Sequence, residues 1–246
     1  NGTTGHTVRP VLVTALSNII IRTIEWGAHH AIALNNTGRI YSWGYNGHGQ
    51  LGINNTTNTI TSPFLISTDY DGNSLKNTVF TQISANPAGY SSYALRDDGK
   101  VFSWGKNSTW NDLCHGSNYT SNILAPKLIT HPDILNVSTI VGCYEGGMAL
   151  TTDGQLYGWG YNSHYALGQE NNNSSINIPV KPQTKVNGVT TALADVVSIV
   201  KIVRCDKARY AIDSNGTGWS WGYHGHGELA RSASNQWEAR EIEKAQ

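Results

Sequence analysis

Charge is scarce in this sequence. Only 14% of residues are charged, against about a quarter in ordinary globular domains. Lys plus Arg and Asp plus Glu each number 17, so the formal net charge is zero. Without a basic excess there is no expected phosphate-neutralising face, and no nucleic-acid partner is expected. No apolar run approaches the length of about 20 residues that crosses a bilayer, so no membrane span is expected. Also missing are a Gly-x-Ser-x-Gly nucleophile elbow and a Gly-x-x-x-x-Gly-Lys phosphate loop. The chain therefore reads as non-enzymatic, with no catalytic residue, cofactor or metal site. It starts at Asn1 rather than Met, which suggests a processed chain or part of a longer one.

What the sequence does hold is a fourfold repeat. Tyr-Ser-Trp43-Gly, Phe-Ser-Trp104-Gly, Tyr-Gly-Trp159-Gly and Trp-Ser-Trp221-Gly are its anchors, 61, 55 and 62 residues apart. Ahead of each anchor stand a short apolar stretch (Ala31–Leu34, Tyr93–Leu95, Met148–Leu150, Tyr210–Ile212) and then a turn glycine: Gly38, Gly99, Gly154 or Gly216. The preceding residues are Thr37, Asp98, Asp153 and Asn215. Asp-Gly and Asn-Gly suit a tight type I′ hairpin, because glycine accepts positive φ without a Cβ clash. A second series, Pro10, Pro63, Pro126 and Pro179, opens a further apolar run in each unit. No helical period is sustained. Four strands per unit at this spacing is the arithmetic of a propeller blade, so the fold class is all-β with four blades. The expected boundaries are a single propeller domain over 1–246, a spare outer strand at 8–16, and repeats at 18–66, 78–130, 135–186 and 197–243.

Trp-Gly-Tyr-Asn-Gly-His-Gly-Gln-Leu-Gly, from Trp43 to Gly52, resembles the signature of regulator-of-chromosome-condensation repeats. Trp159–Gly168 and Trp221–Ala230 are weaker versions, and the second repeat departs most, running from Trp104-Gly-Lys-Asn into Asp112-Leu113-Cys114. The resemblance implies a buried tryptophan core in each blade and a protein-binding or scaffolding role through face loops. Relatives include a small-GTPase exchange factor, ubiquitin-ligase modules and a secreted β-lactamase inhibitor. Members of the family usually close with seven blades. Four imply part of a longer protein, a small or distorted ring, or one completed between chains. An unpaired edge strand is a template for pairing. The alternative function is thus a structural subunit of an extracellular assembly or filament, with further copies of itself as partners.

Cys143 and Cys205 occupy the same place in repeats three and four, near the end of the innermost strand, and form a candidate disulfide. Candidate N-glycosylation sites are Asn35, Asn54, Asn55, Asn107, Asn118, Asn136, Asn172, Asn173 and Asn215; many fall in predicted loops. Low charge, sequons and the cysteine pair point to an extracellular, glycan-bearing protein, with an intracellular one as the alternative. His48, His164 and His226 recur after the anchors, and packing explains them better than metal binding. Four further tryptophans, Trp26, Trp110, Trp219 and Trp237, lie outside the anchor series. Trp110 is read as loop packing, with a contact role as the alternative.

Overall fold

The structure, a computed structural model, describes residues 9–107, 111–116, 120–171, 175–203, 206–231 and 237–242. Four antiparallel four-stranded sheets follow one another along the chain. The first blade is β1 (Ile21–Trp26), β2 (His30–Asn35), β3 (Ile40–Tyr45) and β4 (Thr59–Leu65). The second is β5 (Phe80–Ala85), β6 (Ser91–Arg96), β7 (Val101–Gly105) and β8 (Ile123–Leu128). The third is β9 (Val137–Cys143), β10 (Gly146–Thr151), β11 (Leu156–Tyr161) and β12 (Ser175–Val180). A hairpin, β13 (Gln183–Val186) and β14 (Val189–Ala192), precedes the fourth blade: β15 (Ile199–Val203), β16 (Ala208–Asp213), β17 (Gly218–Gly222) and β18 (Arg240–Glu241).

In every blade the sequence order is the spatial order. The first strands of successive blades touch, β1 to β5, β5 to β9 and β9 to β15, so they form the inner layer. Pro63, Pro126 and Pro179 fall on β4, β8 and β12, the outermost strands. Proline cannot donate to a ladder and is tolerated at such edges.

The turn glycines sit where expected, with φ of +78° at Gly38, +79° at Gly99, +84° at Gly154 and +81° at Gly216. The turn itself differs from the expected two-residue type I′. Asn35 N donates to Arg39 O at 3.0 Å and Gly38 N to Asn35 O at 3.1 Å, leaving three residues in the loop. This is a type I turn closed by a left-handed glycine. The side chain at the first position selects it: Asn35 Oδ1 accepts from Thr37 N at 3.0 Å and Arg39 N at 2.7 Å. Asp213 Oδ1 does the same for Asn215 N and Thr217 N, both at 2.9 Å. A two-residue Asn-Gly hairpin does occur, at Asn187-Gly188 between β13 and β14, with φ of +51° and +81°.

The spare outer strand expected at 8–16 is not formed in residues 9–16. Thr14–Leu16 is a 3₁₀ turn and Arg9–Val13 pairs with no sheet. At the other end of the chain β18 does pair, completing the fourth sheet against β17.

The core lies between blades. Phe80, Ile83, Phe102 and Trp104 pack with Ile32, Leu34 and Ile40 across the first junction. Tyr93, Leu95 and Val101 pack with Ile140, Ala149 and Trp159 across the second. Met148, Leu150 and Leu156 pack with Ile202, Ala211 and Trp221 across the third.

Candidate functional site

After each anchor tryptophan the backbone passes through a glycine with φ near +100°: +104° at Gly44 and Gly105, +98° at Gly160 and +96° at Gly222. The chain then doubles back as a tight loop. Asn46 Oδ1 accepts from Leu51 N at 3.0 Å, and Asn162 Oδ1 from Leu167 N at 2.9 Å. Hydroxyls on the third strand hold the loop down: Ser42 Oγ donates to Leu51 O at 2.7 Å, Ser103 Oγ to Leu113 O at 2.7 Å and Ser220 Oγ to Leu229 O at 2.8 Å. The leucine of each loop is buried.

The residue before that leucine enters the next blade. Gln50 O accepts from Trp104 Nε1 at 2.9 Å and from Ser92 Oγ at 3.0 Å. Asp112 O accepts from Trp159 Nε1 at 3.1 Å and from the Tyr93 hydroxyl. Backbone closeness explains the glycines here. A Cβ on Gly105 would lie 3.2 Å from Gln50 Cα, and one on Gly222 would lie 3.4 Å from Ala166 Cα. Trp104, Trp159 and Trp221 are fully buried, as expected for core anchors, whereas Trp43 is only partly covered.

His30 joins the first seam. Its Nε2 lies 2.9 Å from Ser92 Oγ. That hydroxyl spends its single proton on Gln50 O, so it must accept from an Nε2–H. Nδ1 then faces no hydrogen-bond partner. Burial, with His29 adding to it, lowers the His30 pKa from 6.5 to about 4.

The loops after the first and third strands share one end of every sheet and build a polar-aromatic rim. Tyr45 N donates to His29 O at 2.9 Å, Lys106 N to Tyr90 O at 2.9 Å and Tyr161 N to Glu145 O at 2.8 Å, so the two loops of each blade are tied alike. Side chains then bridge blades. Tyr90 stacks with Tyr45 (5.8 Å between centroids) and His48 (4.8 Å). Lys106 Nζ lies 3.5 Å from Glu145 Oε1. Tyr223 meets His164 at 4.9 Å, and Lys207 Nζ sits over Tyr144 at 5.1 Å and Tyr223 at 5.9 Å. A cleft of about 360 Å³ opens beside Lys207, Tyr210, Tyr223 and Glu228.

The recurring histidines thus pack on tyrosines: His48 and His164 on those of the following blade, His226 on Tyr223 of its own. Partial burial and Lys106 lower the pKa of His48. Among the described residues no group of three His, Cys, Asp or Glu is arranged to hold a metal. Tyr45, Tyr161 and Tyr223 were readable as the residue two after each anchor. Tyr90 and Lys207 were not, because their position carries His29 and Glu145 elsewhere.

Asn54, Asn55, Asn136 and Asn215 are exposed. Asn35 and Asn107 are buried, against the expectation that sequon residues reach solvent. Asn35 is committed to its hairpin, and neither amide can carry a glycan without leaving its place. Asn118, Asn172 and Asn173 lie outside the described residues, as do Trp110 and Cys205. Cys143 ends β9 fully buried. No helix among the described residues is long and apolar enough to cross a membrane.

Two family models, both described as regulator of chromosome condensation (RCC1) repeat, match the chain, one at residues 21–50 and the other at 37–85 and 153–200. The RCC1 domain-containing protein RUG3, mitochondrial, from Arabidopsis thaliana is 30% identical over 229 residues, covering 91% of this chain and 47% of that protein. Human WBSCR16 superposes with a TM-score of 0.74 at 21% identity, covering 91% of this chain and 53% of that one. Prp20p from Saccharomyces cerevisiae, a structure described together with its binding properties to Gsp1p and histones, gives 0.67 at 18%, covering 92% and 52%. The chain thus spans about half the length of these relatives. At such identities the two structures speak for the fold, which they share with the sheets described above. The chain belongs to the RCC1-like repeat family and is an all-β propeller chain of four blades.

Proposed function

We propose that the chain is a non-catalytic protein-binding module that engages its partner through the rim of Tyr45, Tyr90, Lys106, Tyr161, Lys207 and Tyr223. The observation that carries this reading is the bridging of successive blades by Tyr–His and Tyr–Lys contacts at one end of the sheets. Tyrosine offers large contact area with a polar tip and is enriched at interface hot spots. The description of Prp20p as binding Gsp1p and histones supports a protein partner for a relative of this fold. The mitochondrial setting of RUG3 favours the intracellular alternative over the extracellular one.

Photo-crosslinking amino acids at Tyr90 and Tyr223, compared with Thr37 and Asn215 on the hairpin end, test the reading in cells. Protein adducts are expected at the rim positions. Adducts confined to the hairpin end overturn it.

A further inference from the structure

In the first, third and fourth blades the loop after the anchor tryptophan is closed by the side chain three residues beyond it. In the first and third this is an amide. Asn46 Oδ1 accepts from Leu51 N at 3.0 Å while its Nδ2 donates to Asn55 O at 2.9 Å. Asn162 Oδ1 accepts from Leu167 N at 2.9 Å while its Nδ2 donates to Asn171 O at 3.1 Å. The fourth blade has His224 at this place, and its ring Nδ1 accepts from Leu229 N at 3.1 Å. The frame is otherwise kept: Ser220 Oγ donates to Leu229 O as Ser42 Oγ does to Leu51 O.

An amide oxygen accepts throughout the ordinary pH range, but an imidazole nitrogen accepts only while it carries no proton. A proton on Nδ1 would set one donor against another. Leu229 is fully buried, so its N–H has no water to turn to. His224 itself is half-buried and within reach of solvent protons. The charged and titratable groups about the loop come from three elements. Glu228 and His226 belong to the loop itself, with Glu228 Oε2 accepting from His226 N at 2.8 Å. Asp206 and Lys207 line the same cleft from just ahead of β16. His164 of the preceding blade meets Tyr223 at 4.9 Å. The His226 N–H holds the Glu228 carboxyl below its ordinary pKa, with His226 and His224 adding to it. Its charge favours a proton on His224, and the bond from Leu229 N opposes one.

We propose that His224 is a proton-operated clasp on the rim: neutral, it closes the loop from Tyr223 to Leu229, and protonated, it releases Leu229 N. Tyr223 carries the contacts with His164 and Lys207, so release loosens the Tyr–His and Tyr–Lys bridges at the third seam. The amide clasps of the first and third blades stay closed. A partner held at Tyr223 is let go as pH falls through the range in which histidine titrates, about 5 to 8. This last step rests on the rim as the partner surface; the clasp does not.

NMR on the isotope-labelled 246-residue chain tests the clasp between about pH 7.5 and about pH 5.5. At the higher pH the His224 ring is expected as the Nε2–H tautomer. Exchange of the Leu229 amide, corrected for its intrinsic pH dependence, is expected to speed up about tenfold at the lower pH, with Leu167 unchanged. His224→Asn, which installs the residue of the first and third blades, is expected to keep Leu229 protected at both. His224→Ala is expected to leave it unprotected at both. His30 is common to all three chains, so its own titration cancels. An Nδ1–H tautomer, a Leu229 amide indifferent to pH, or the same dependence in His224→Asn overturns the clasp. If His224→Asn fails to fold, the first two readings on the unchanged chain still decide. Crosslinking at Tyr223 in lysate buffered at the two pH values tests the release. Adducts are expected to fall with pH in the unchanged chain and to persist in His224→Asn. An equal fall in both overturns the release, whereas a lack of adducts at either pH is a failure of the rim reading.

Discussion

The indole N–H of Trp104 donates to the main-chain carbonyl of Gln50, 2.9 Å away and one blade earlier. Trp159 does the same to Asp112 at 3.1 Å. The residue that fills a blade's core thus also fastens the blade to its predecessor. At the Trp104 bond both donor and acceptor are buried; losing the carbonyl strands the indole N–H, whereas losing the indole leaves the carbonyl with Ser92 Oγ as its one remaining partner.

Replacing Trp104 with Phe is expected to cost about 0.5–1.5 kcal/mol for the lost hydrogen bond, since Ser92 Oγ still bonds the Gln50 carbonyl. Trp104→Ala adds the lost packing and is expected to cost about 3–5 kcal/mol. Trp43→Ala is expected to cost less than Trp104→Ala, since Trp43 is only partly covered. Urea unfolding of the three variants checks the order.

Acid is expected to loosen the first seam through His30. Its pKa is lowered to about 4 in the fold against 6.5 ordinarily. Between those values the unfolded chain holds a proton that the folded chain does not. Stability from this group is therefore complete above about pH 6.5 and declines as pH falls towards 4. The loss is about 3 kcal/mol at most. His29 is the neighbouring titratable group that adds to the shift, so both single variants belong in the test. His30→Asn is expected to flatten the stability profile over this window, and His29→Ala to leave most of it.

Gly105→Ala is expected to be among the most damaging single-methyl changes in the chain. Its φ is +104°, and an added Cβ would lie 2.2 Å from Tyr90 O. Strain of this kind costs of order 1–3 kcal/mol before any clash. Gly72→Ala is the control: φ is +81° there, yet nothing lies within 4 Å of the added atom. Thermal melts should separate the two clearly.

Gln82 Oε1 and Ser84 Oγ accept from Ile140 N at 3.0 Å and Gly142 N at 2.9 Å, stitching β5 to β9. Gln82→Ala and Ser84→Ala are each expected to cost about 1–3 kcal/mol by leaving a backbone N–H unpaired. Amide hydrogen exchange should show lost protection at Ile140 and Gly142 respectively, with the fourth blade unchanged.

Much of this architecture was legible because the chain repeats itself. The spacing of Trp43, Trp104, Trp159 and Trp221 gave the blades, and Gly38, Gly99, Gly154 and Gly216 gave the hairpins. The hairpin type was not legible from the Thr-Gly, Asp-Gly or Asn-Gly dipeptide. It depends on Asn35 and Asp213, three residues before the glycine, bonding forward to the loop. The strand expected at 8–16 had the right residues, but among the described residues no third strand lies beside Arg9–Val13 for it to pair with. The β13–β14 hairpin occurs once, so no repetition flagged Asn187-Gly188. Tyr90 and Lys207 escaped for the opposite reason: their position is shared by all blades but filled differently in each.

The acceptor in the seam belongs to the main chain, and this has a consequence for how such chains diversify. Gln50 and Asp112 share no side-chain chemistry, yet each stands at the same point of its loop and offers its carbonyl to the next blade's indole, whereas the Trp221 indole N–H at the third junction has no hydrogen-bond partner among the described residues. What is handed from one blade to the next is a peptide group, which every residue owns. Substitution at that site is therefore nearly invisible to the joint, and duplicated blades can drift apart in sequence while remaining interchangeable as mechanical parts.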